Sequence, residues 1–342
     1  MRTLIRALGL LLIWTLVVEI VLRIALGAMG VHWPRMGLSC APHLPPLRTL
    51  AGPGPPFEAA LAHHPVLGWV NRPRSVLENG LQVTVDANGF RDLGGPDPTD
   101  ASRTVVVVGD SFSFGTDLAD EDVFLAHVQA ALPDVAIVDL GVPIYGPDQM
   151  WLSYREQGRA LAPDLVVMAL LGVDLFRAEH DLIAFPKPRF VLRDGALALR
   201  GVPAPDRATT RAVSLFRPRL LDVGLVLAQA VTGPVSSDDP ALQRAIVQGF
   251  VDEVRGDGVE VLVLGLPDGS VEDDDLAWFP KVCGDPEVCM AIDPGFAAAR
   301  QAGVDVLGPW NHWSPEGSRR VADAVMAAVG DRLAGRPRVA PE

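Results

Sequence analysis

Cysteine is scarce in this chain, with three among 342 residues. That excludes a small domain framed by disulfides. Positive charge is also short: 29 Lys+Arg stand against 42 Asp+Glu, a formal net charge of −13. Such a balance has nothing to neutralise a phosphate backbone, which excludes a nucleic-acid binder. The basic residues are nearly all Arg, which reads as genome composition and not as function. Gly and Pro number 33 and 30 but follow no fixed period. Collagen-like and solenoid architectures are thereby excluded. What is present is apolar mass. Hydrophobic residues make up 49% and charged residues 21%, which is incompatible with wholesale disorder. The length allows one large domain or two small ones.

The apolar character is concentrated first at the N-terminus. Arg2 and Arg6 precede an apolar run over residues 7–29, broken only by Thr15, Glu19 and Arg23. As a helix, this run reaches across the hydrocarbon core of a bilayer. Glu19 and Arg23 are spaced i,i+4 with the acid nearer the N-terminus, the favoured orientation for a pair. Pairing, or placement near the outer headgroups, lowers the cost of each charge in lipid. A cleaved signal peptide is the competing reading, with residues 7–18 as its core and a small-residue site near Ala25 and Gly27. A buried core helix is disfavoured by length. The apolar run resumes after Arg23, which favours a retained anchor, and the N-terminal arginines favour export of the C-terminal domain. Cys40 lacks a good acceptor motif for lipidation in Gly37, Leu38 and Ser39.

Pro42, Pro45, Pro46, Pro53, Pro55 and Pro56 mark a stiff non-helical linker. Residues 64–91 alternate apolar and polar with a turn at Glu78-Asn79-Gly80, which predicts a small antiparallel preamble. The period then changes. Short apolar β-branched runs occupy 104–108, 135–140, 165–171 and 259–266, with a weaker fifth at 304–307. Runs that are apolar on both faces suit buried strands of a parallel sheet. Helix-period stretches lie between and after them, at about 120–132, 148–161, 240–255, 295–302 and 315–333. The alternation predicts a doubly wound α/β sheet with helices on both faces. Residues 176–239 are too long for one crossover and read as an insertion beside the sheet, shaping the substrate entrance. Within it, 189–200 reads as a hairpin turning at Asp194-Gly195. The acidic runs 238–239 and 272–275 read as solvated loops, since their spacing matches no calcium loop.

Ligands of an open parallel sheet bind beyond the C-terminal strand ends. Ser111 stands at such an end, just before a helix, where a nucleophile is well placed and its own N–H can face an oxyanion. Gly141 ends the second strand, and its N–H can approach the same spot because no side chain blocks it. The catalytic candidates are therefore Ser111 with His312 as its base, and the oxyanion candidates are the N–H groups of Ser111 and Gly141. His312 follows the fifth run and opens the last helix through His312-Trp313-Ser314-Pro315-Glu316-Gly317. That loop emerges on the same edge as Ser111, so a Ser–His contact is geometrically reasonable. Each feature alone is weak, being a turn or a capping residue; together, at two strand ends, they favour a site. His63 and His64 have no further ligands at useful spacing for a metal. Trp310 and Trp313 flank His312 and either line a sugar or acyl pocket or pack in the core.

The block from Val105 through Gly109-Asp110-Ser111-Phe112-Ser113-Phe114-Gly115 resembles the first block of the SGNH (GDSL-type) hydrolases. The His312 block resembles their last one. The preamble, from Leu67-Gly68-Trp69 to Asn88-Gly89-Phe90-Arg91, is similar to that of membrane-anchored bacterial members. The resemblance implies a flavodoxin-like three-layer α/β/α fold with a five-stranded parallel sheet. It also implies ester hydrolysis or acyl transfer through a serine acyl-enzyme, without metal or organic cofactor. Two blocks depart from it. Val173 stands where an Asn donor is expected in Gly172-Val173-Asp174, and one missing oxyanion donor costs on the order of a hundredfold in turnover. Pro309 and Trp310 stand where an Asp is expected before His312, and Asn311 is out of register. Without an acid the imidazole loses its orienting acceptor. Asp305, at the end of the fifth run, is one route to a replacement; a backbone carbonyl is another.

The expected organisation is an anchor or signal segment over 1–33, a linker over 34–58, a hydrolase-like domain over 59–336 and a tail over 337–342. The expected activity is that of an exported, membrane-tethered esterase or acyltransferase acting on acyl esters of an envelope glycan or lipid. The alternative is a non-catalytic binding protein of the same fold. Cys283 and Cys289, with five residues between them, are expected to form a disulfide in an oxidising compartment; the alternative is two independent thiols.

Overall fold

The computed structural model describes residues 2–28, 59–78, 80–181, 183, 185–206, 208–209, 218–220, 240–271, 276–308 and 311–335. The expected linker and tail, Cys40, the two acidic runs, Pro309 and Trp310 lie outside the described residues. Helix α1 (Arg2–Ala28) carries the N-terminal apolar run. Its stretch Ile5–Ala25, 21 residues of mean hydropathy 2.3, is long and apolar enough to cross a bilayer or to act as a signal sequence. The i,i+4 pair forms on it, with Arg23 Nε donating to Glu19 Oε1 at 2.6 Å.

The preamble consists of two antiparallel pairs, β1 (Leu61–His64) with β2 (Gly68–Asn71) and β3 (Arg74–Glu78) with β4 (Leu81–Val85). The central sheet comes next. Its strands are β5 (Arg103–Val108), β6 (Val135–Asp139), β7 (Leu165–Leu170), β10 (Glu260–Gly265) and β11 (Cys289–Ala291). All pairings between them are parallel, in the order β11-β10-β7-β5-β6. Relabelled within the sheet alone, this is the 2-1-3-4-5 order of flavodoxin-like folds. Between β7 and β10, the hairpin β8 (Arg189–Arg193) and β9 (Ala196–Arg200) forms where the Asp194-Gly195 turn predicts it. It packs outside the sheet, with Phe190 stacked on Trp151 at 4.5 Å between ring centroids.

Two helical layers cover the sheet. Strand side chains alternate, so Val106 and Val108 face one layer while Val105 and Val107 face the other. The first layer holds α4 (Pro147–Ser153), α5 (Gly172–Ala178) and α6 (Pro240–Gly256). Helix α4 runs on through a π turn at Tyr154–Gly158 and a 3₁₀ turn at Arg159–Leu161. The second layer holds α3 (Phe124–Ala131), α8 (Phe296–Gln301) and α9 (Pro315–Ala334). Two four-residue helices also belong to the described fold, α2 (Ser111–Phe114) after β5 and α7 (Phe279–Val282) after β10.

One expected strand is corrected. Residues 304–307 are not the fifth strand. Val306 accepts the Ser314 N–H at 2.9 Å, and Leu307 makes a single antiparallel bridge to Trp313. This segment is therefore tied to the His312 loop. The edge of β10 is instead paired by β11, whose Cys289 is joined to Cys283 by the expected disulfide. A three-residue Cys-Met-Ala strand carries none of the β-branched pattern that marks the buried strands.

Candidate active site

The site lies at the C-terminal rim of β5, between the ends of β6 and β7. Strand β5 ends at Val108, and the chain turns through Gly109-Asp110 into α2. The Asp110 side chain caps α2 by accepting the Phe112 N–H at 2.8 Å. This turn points the Ser111 hydroxyl to the rim, where it lies 3.3 Å from Asp110 Oδ2. Ser111 is itself the first helical residue, so its N–H belongs to the donors that a helix start leaves without intrahelical partners.

His312 reaches the same point from the opposite end of the chain. Its loop is closed by the Gly308 N–H donating to His312 O at 2.8 Å, with Asn311 in the left-handed region at φ 60°. Asn tolerates that conformation better than most residues. Trp313 fixes the loop from below. It is buried, donates Nε1–H to Pro267 O at 3.1 Å, and meets the rings of Phe112, Phe124 and Phe296. Of the two readings open for Trp313, packing is the one observed. Ser314 then caps α9, accepting the Gly317 N–H at 3.1 Å. The result is a His312 Nε2 that lies 3.1 Å from Ser111 Oγ.

The carboxylate beside His312 comes from a segment that no sequence motif marks. His312 Nδ1 lies 2.8 Å from Asp117 Oδ2. Asp117 sits six residues beyond Ser111, on the turn that closes α2. Gly115 enters this turn at φ 71°, and a Cβ there would meet the Val123 side chain at 2.4 Å. Asp117 follows at φ 67°, a rare conformation for a residue with a Cβ. Asp305 is not the partner: it is exposed, and its carbonyl accepts the Ser314 hydroxyl at 2.7 Å. The available signal is position alone, since any acid on the turn after α2 emerges on the rim that carries Ser111.

The Asp117 turn is clamped from the preamble. Arg91 is buried, donating from Nη1 to Phe114 O at 3.3 Å and from Nη2 to Leu118 O at 2.9 Å. Its Nη2 also pairs with Asp120 Oδ1 at 2.9 Å. These contacts grip both ends of the segment that presents Asp117.

The oxyanion side differs from expectation. The Gly141 N–H is donated to Asp139 Oδ1 at 2.8 Å. Gly141 packs so closely on α2 that a Cβ would meet Phe114 N at 2.8 Å and Ser113 Cβ at 2.9 Å. Burial pushes the Asp139 carboxyl up to about 7; Asp110 adds to this, while the Gly141 N–H and Arg91 oppose it. Val173 is exposed at the start of α5 and brings no donor. One turn later, Arg177 Nη1 donates to Asp110 Oδ2 at 2.9 Å, Tyr145 O at 2.9 Å and Asp174 Oδ1 at 2.6 Å. Burial also raises Asp174 well above the usual carboxylate range, and Asp110 adds to it while Arg177 opposes it. The His63 and His64 rings have other partners, His63 Nε2 lying 2.9 Å from Ala204 O in the inserted region and His64 Nδ1 accepting the Val66 and Leu67 N–H groups.

No family model matches the sequence, and no curated protein matches it. Among solved structures the chain is similar to several hydrolases. One is an alpha/beta hydrolase enzyme from the metagenome of Lake Arreo, at 15% identity over 70% of this chain and 100% of that one, TM-score 0.42. Another is an acetyl xylan esterase from Geobacillus stearothermophilus, at 14% identity over 70% and 98%, TM-score 0.39. A third belongs to the lipolytic G-D-S-L family of Veillonella parvula, at 12% identity over 66% and 98%, TM-score 0.38.

Proposed function

We propose that the chain is a serine esterase or acyltransferase. The observation that carries this reading is the relay Ser111 Oγ, His312 Nε2, His312 Nδ1, Asp117 Oδ2, with links of 3.1 and 2.8 Å. Both distances lie within the reach that general-base activation needs. Ser111 Oγ attacks the acyl carbonyl carbon while its proton passes to His312 Nε2. Asp117 accepts the Nδ1–H bond, fixes the tautomer and stabilises the imidazolium. The tetrahedral adduct collapses, the C–O bond to the alcohol breaks, and His312 returns the proton to the leaving oxygen. Water or a second hydroxyl then attacks the acyl-serine, again deprotonated by His312. The Ser111 N–H is the oxyanion donor at hand. The Gly141 N–H joins it only when its bond to Asp139 opens.

The proposed setting is the outer face of a membrane, with α1 as the tether and ester-linked acyl groups of an envelope glycan or lipid as substrate. The Ile5–Ala25 stretch following Arg2 and Arg6 supports the tether. The Cys283–Cys289 disulfide supports an oxidising compartment. A non-catalytic envelope-binding role is the second reading, favoured by the exposed Val173 and by the Gly141 N–H already bound. Fluorophosphonate labelling and p-nitrophenyl acetate turnover separate the two. The enzyme reading expects labelling and turnover in the wild type and neither in Ser111→Ala. An unlabelled wild-type protein, with equal turnover in Ser111→Ala, rejects it.

A further inference from the structure

Ser111 Oγ has one proton to give and two acceptors within reach. His312 Nε2 lies 3.1 Å away and Asp110 Oδ2 lies 3.3 Å away. Asp110 is fully buried. A carboxylate out of water and otherwise open is the stronger acceptor of the two, since its bond to the hydroxyl is charge-assisted. A hydroxyl turned to Asp110 gives the imidazole no proton to take, and Ser111 then stays a poor nucleophile. Asp110 must therefore be kept occupied.

Both of its oxygens are occupied. Oδ1 accepts the Phe112 N–H at 2.8 Å, and Oδ2 accepts Arg177 Nη1 at 2.9 Å. The second contact falls on the oxygen that faces Ser111. Arg177 comes from α5, and its side chain is held from several directions. Nη1 also donates to Tyr145 O at 2.9 Å and to Asp174 Oδ1 at 2.6 Å. Gly146 packs directly against it, since a Cβ there would come within 3.0 Å of Arg177 Cβ. Arg177 O accepts Lys187 Nζ at 3.1 Å. Lys187 is buried, donates to His180 O at 3.2 Å and pairs with Asp148. A cation from the inserted region thus secures the last carbonyls around the end of α5.

We propose that Arg177 is a positioning residue for the nucleophile: by holding Asp110 Oδ2, it leaves the Ser111 O–H to His312 Nε2. The inference rests on the serine-hydrolase reading of the Ser111, His312 and Asp117 relay. The guanidinium acts through Asp110 and touches no reacting atom. Its proton stays on the guanidinium throughout, and the Ser111 proton passes to the imidazole alone. Lys187 supports the same arrangement from one step further out, by fixing the helix end that carries Arg177.

The test is a double-mutant cycle on the full chain, Arg177→Gln and Asp110→Asn singly and together, read by turnover of p-nitrophenyl acetate. Asn keeps an oxygen for the Phe112 N–H and caps a helix as well as Asp does. Arg177→Gln is expected to lower kcat roughly tenfold with KM unchanged, because the hydroxyl is misdirected while the substrate surface stays. In the Asp110→Asn background the same change is expected to cost less than about twofold. An equal loss in both backgrounds, or a loss carried by KM, overturns the proposal. Nitrogen-15 spectra of histidine-labelled protein give a second readout. The His312 Nε2 resonance in Arg177→Gln is expected to move to its position in Ser111→Ala, and an unmoved resonance overturns the proposal. If Arg177→Gln does not fold, Arg177→Lys takes its place, with an ammonium proton for each of the Nη1 acceptors. A wild-type Nε2 resonance and kcat within about threefold of wild type are then expected; a displaced resonance or a larger loss of kcat overturns the proposal. Fluorophosphonate labelling keeps the two readings apart. A wild-type Ser111 that does not label sinks the hydrolase reading, whereas a labelled wild type with additive variants sinks only this inference.

Discussion

Asp117 and His312 meet at 2.8 Å across 195 positions of sequence. Asp117 is carried by the turn that also carries Ser111, and His312 arrives alone from the far end of the chain. Ser111 and Asp117 are thus held by one short piece of backbone. Only the imidazole must be delivered by long-range packing, and Trp313 beneath it supplies that anchorage.

This arrangement sets the first prediction. Asp117→Asn keeps the size of the side chain but favours the wrong imidazole tautomer. Ester turnover is expected to fall roughly 10³–10⁴-fold, with slower fluorophosphonate labelling of Ser111. Steady-state kinetics on p-nitrophenyl acetate check it. Turnover within a factor of a few of wild type would remove Asp117 from the relay.

Arg91 is expected to act on the same step from behind. Its fork grips Phe114 O and Leu118 O, a geometry that the point charge of Lys does not reproduce. Arg91→Lys should lower kcat roughly tenfold with little change in KM, because the Asp117 turn loosens while the substrate surface stays. A changed KM at constant kcat would point to substrate binding instead.

Asp139 gives a pH signature. Its folded pKa is raised to about 7, mainly by burial, whereas an unfolded Asp titrates near ~3.9. Between these values the native state holds a proton that the unfolded chain lacks. Its contribution to stability is therefore full below the unfolded pKa and is lost as pH rises through the folded one. Asp139→Asn keeps an acceptor for the Gly141 N–H and removes the titration. Melting curves from pH 4.5 to 8 should show wild type losing on the order of 2–4 kcal/mol more than the variant across that range. Asp174 shifts in the same direction, so the difference between the two proteins is the quantity to read. Parallel curves would refute the assignment.

The disulfide is the last point to test. It closes a short loop before β11, and such a loop constrains the unfolded chain modestly. Replacing both Cys283 and Cys289 by Ala is expected to cost about 2 kcal/mol, or about 5 °C in Tm. Intact mass without reductant should show neither of the two thiols alkylatable in the wild type.

What the sequence makes legible depends on where each signal resides. Residues 104–108, 135–140, 165–171 and 259–266 announce buried parallel strands because most of their apolar side chains face one helical layer or the other. The Asp194-Gly195 hairpin is legible because its turn chemistry is local. Strand β11 is not, since an edge strand of three residues has no period to detect. Gly141 looks like a free donor in sequence because its lack of a Cβ is visible there. That Asp139, two residues earlier, captures this N–H is a local contact, and the reading of Gly141 overlooked it.

The sequence by itself determined that a sheet would form, that Ser111 would stand at a strand end and that His312 would open the last helix. Those facts rest on neighbours a few residues apart, through strand alternation, helix period and capping. The tertiary structure alone decided which acid touches His312 and which strand closes the sheet edge. Each of these depends on the approach of segments far apart along the chain, and such approaches are set by packing of the whole core and not by any local pattern.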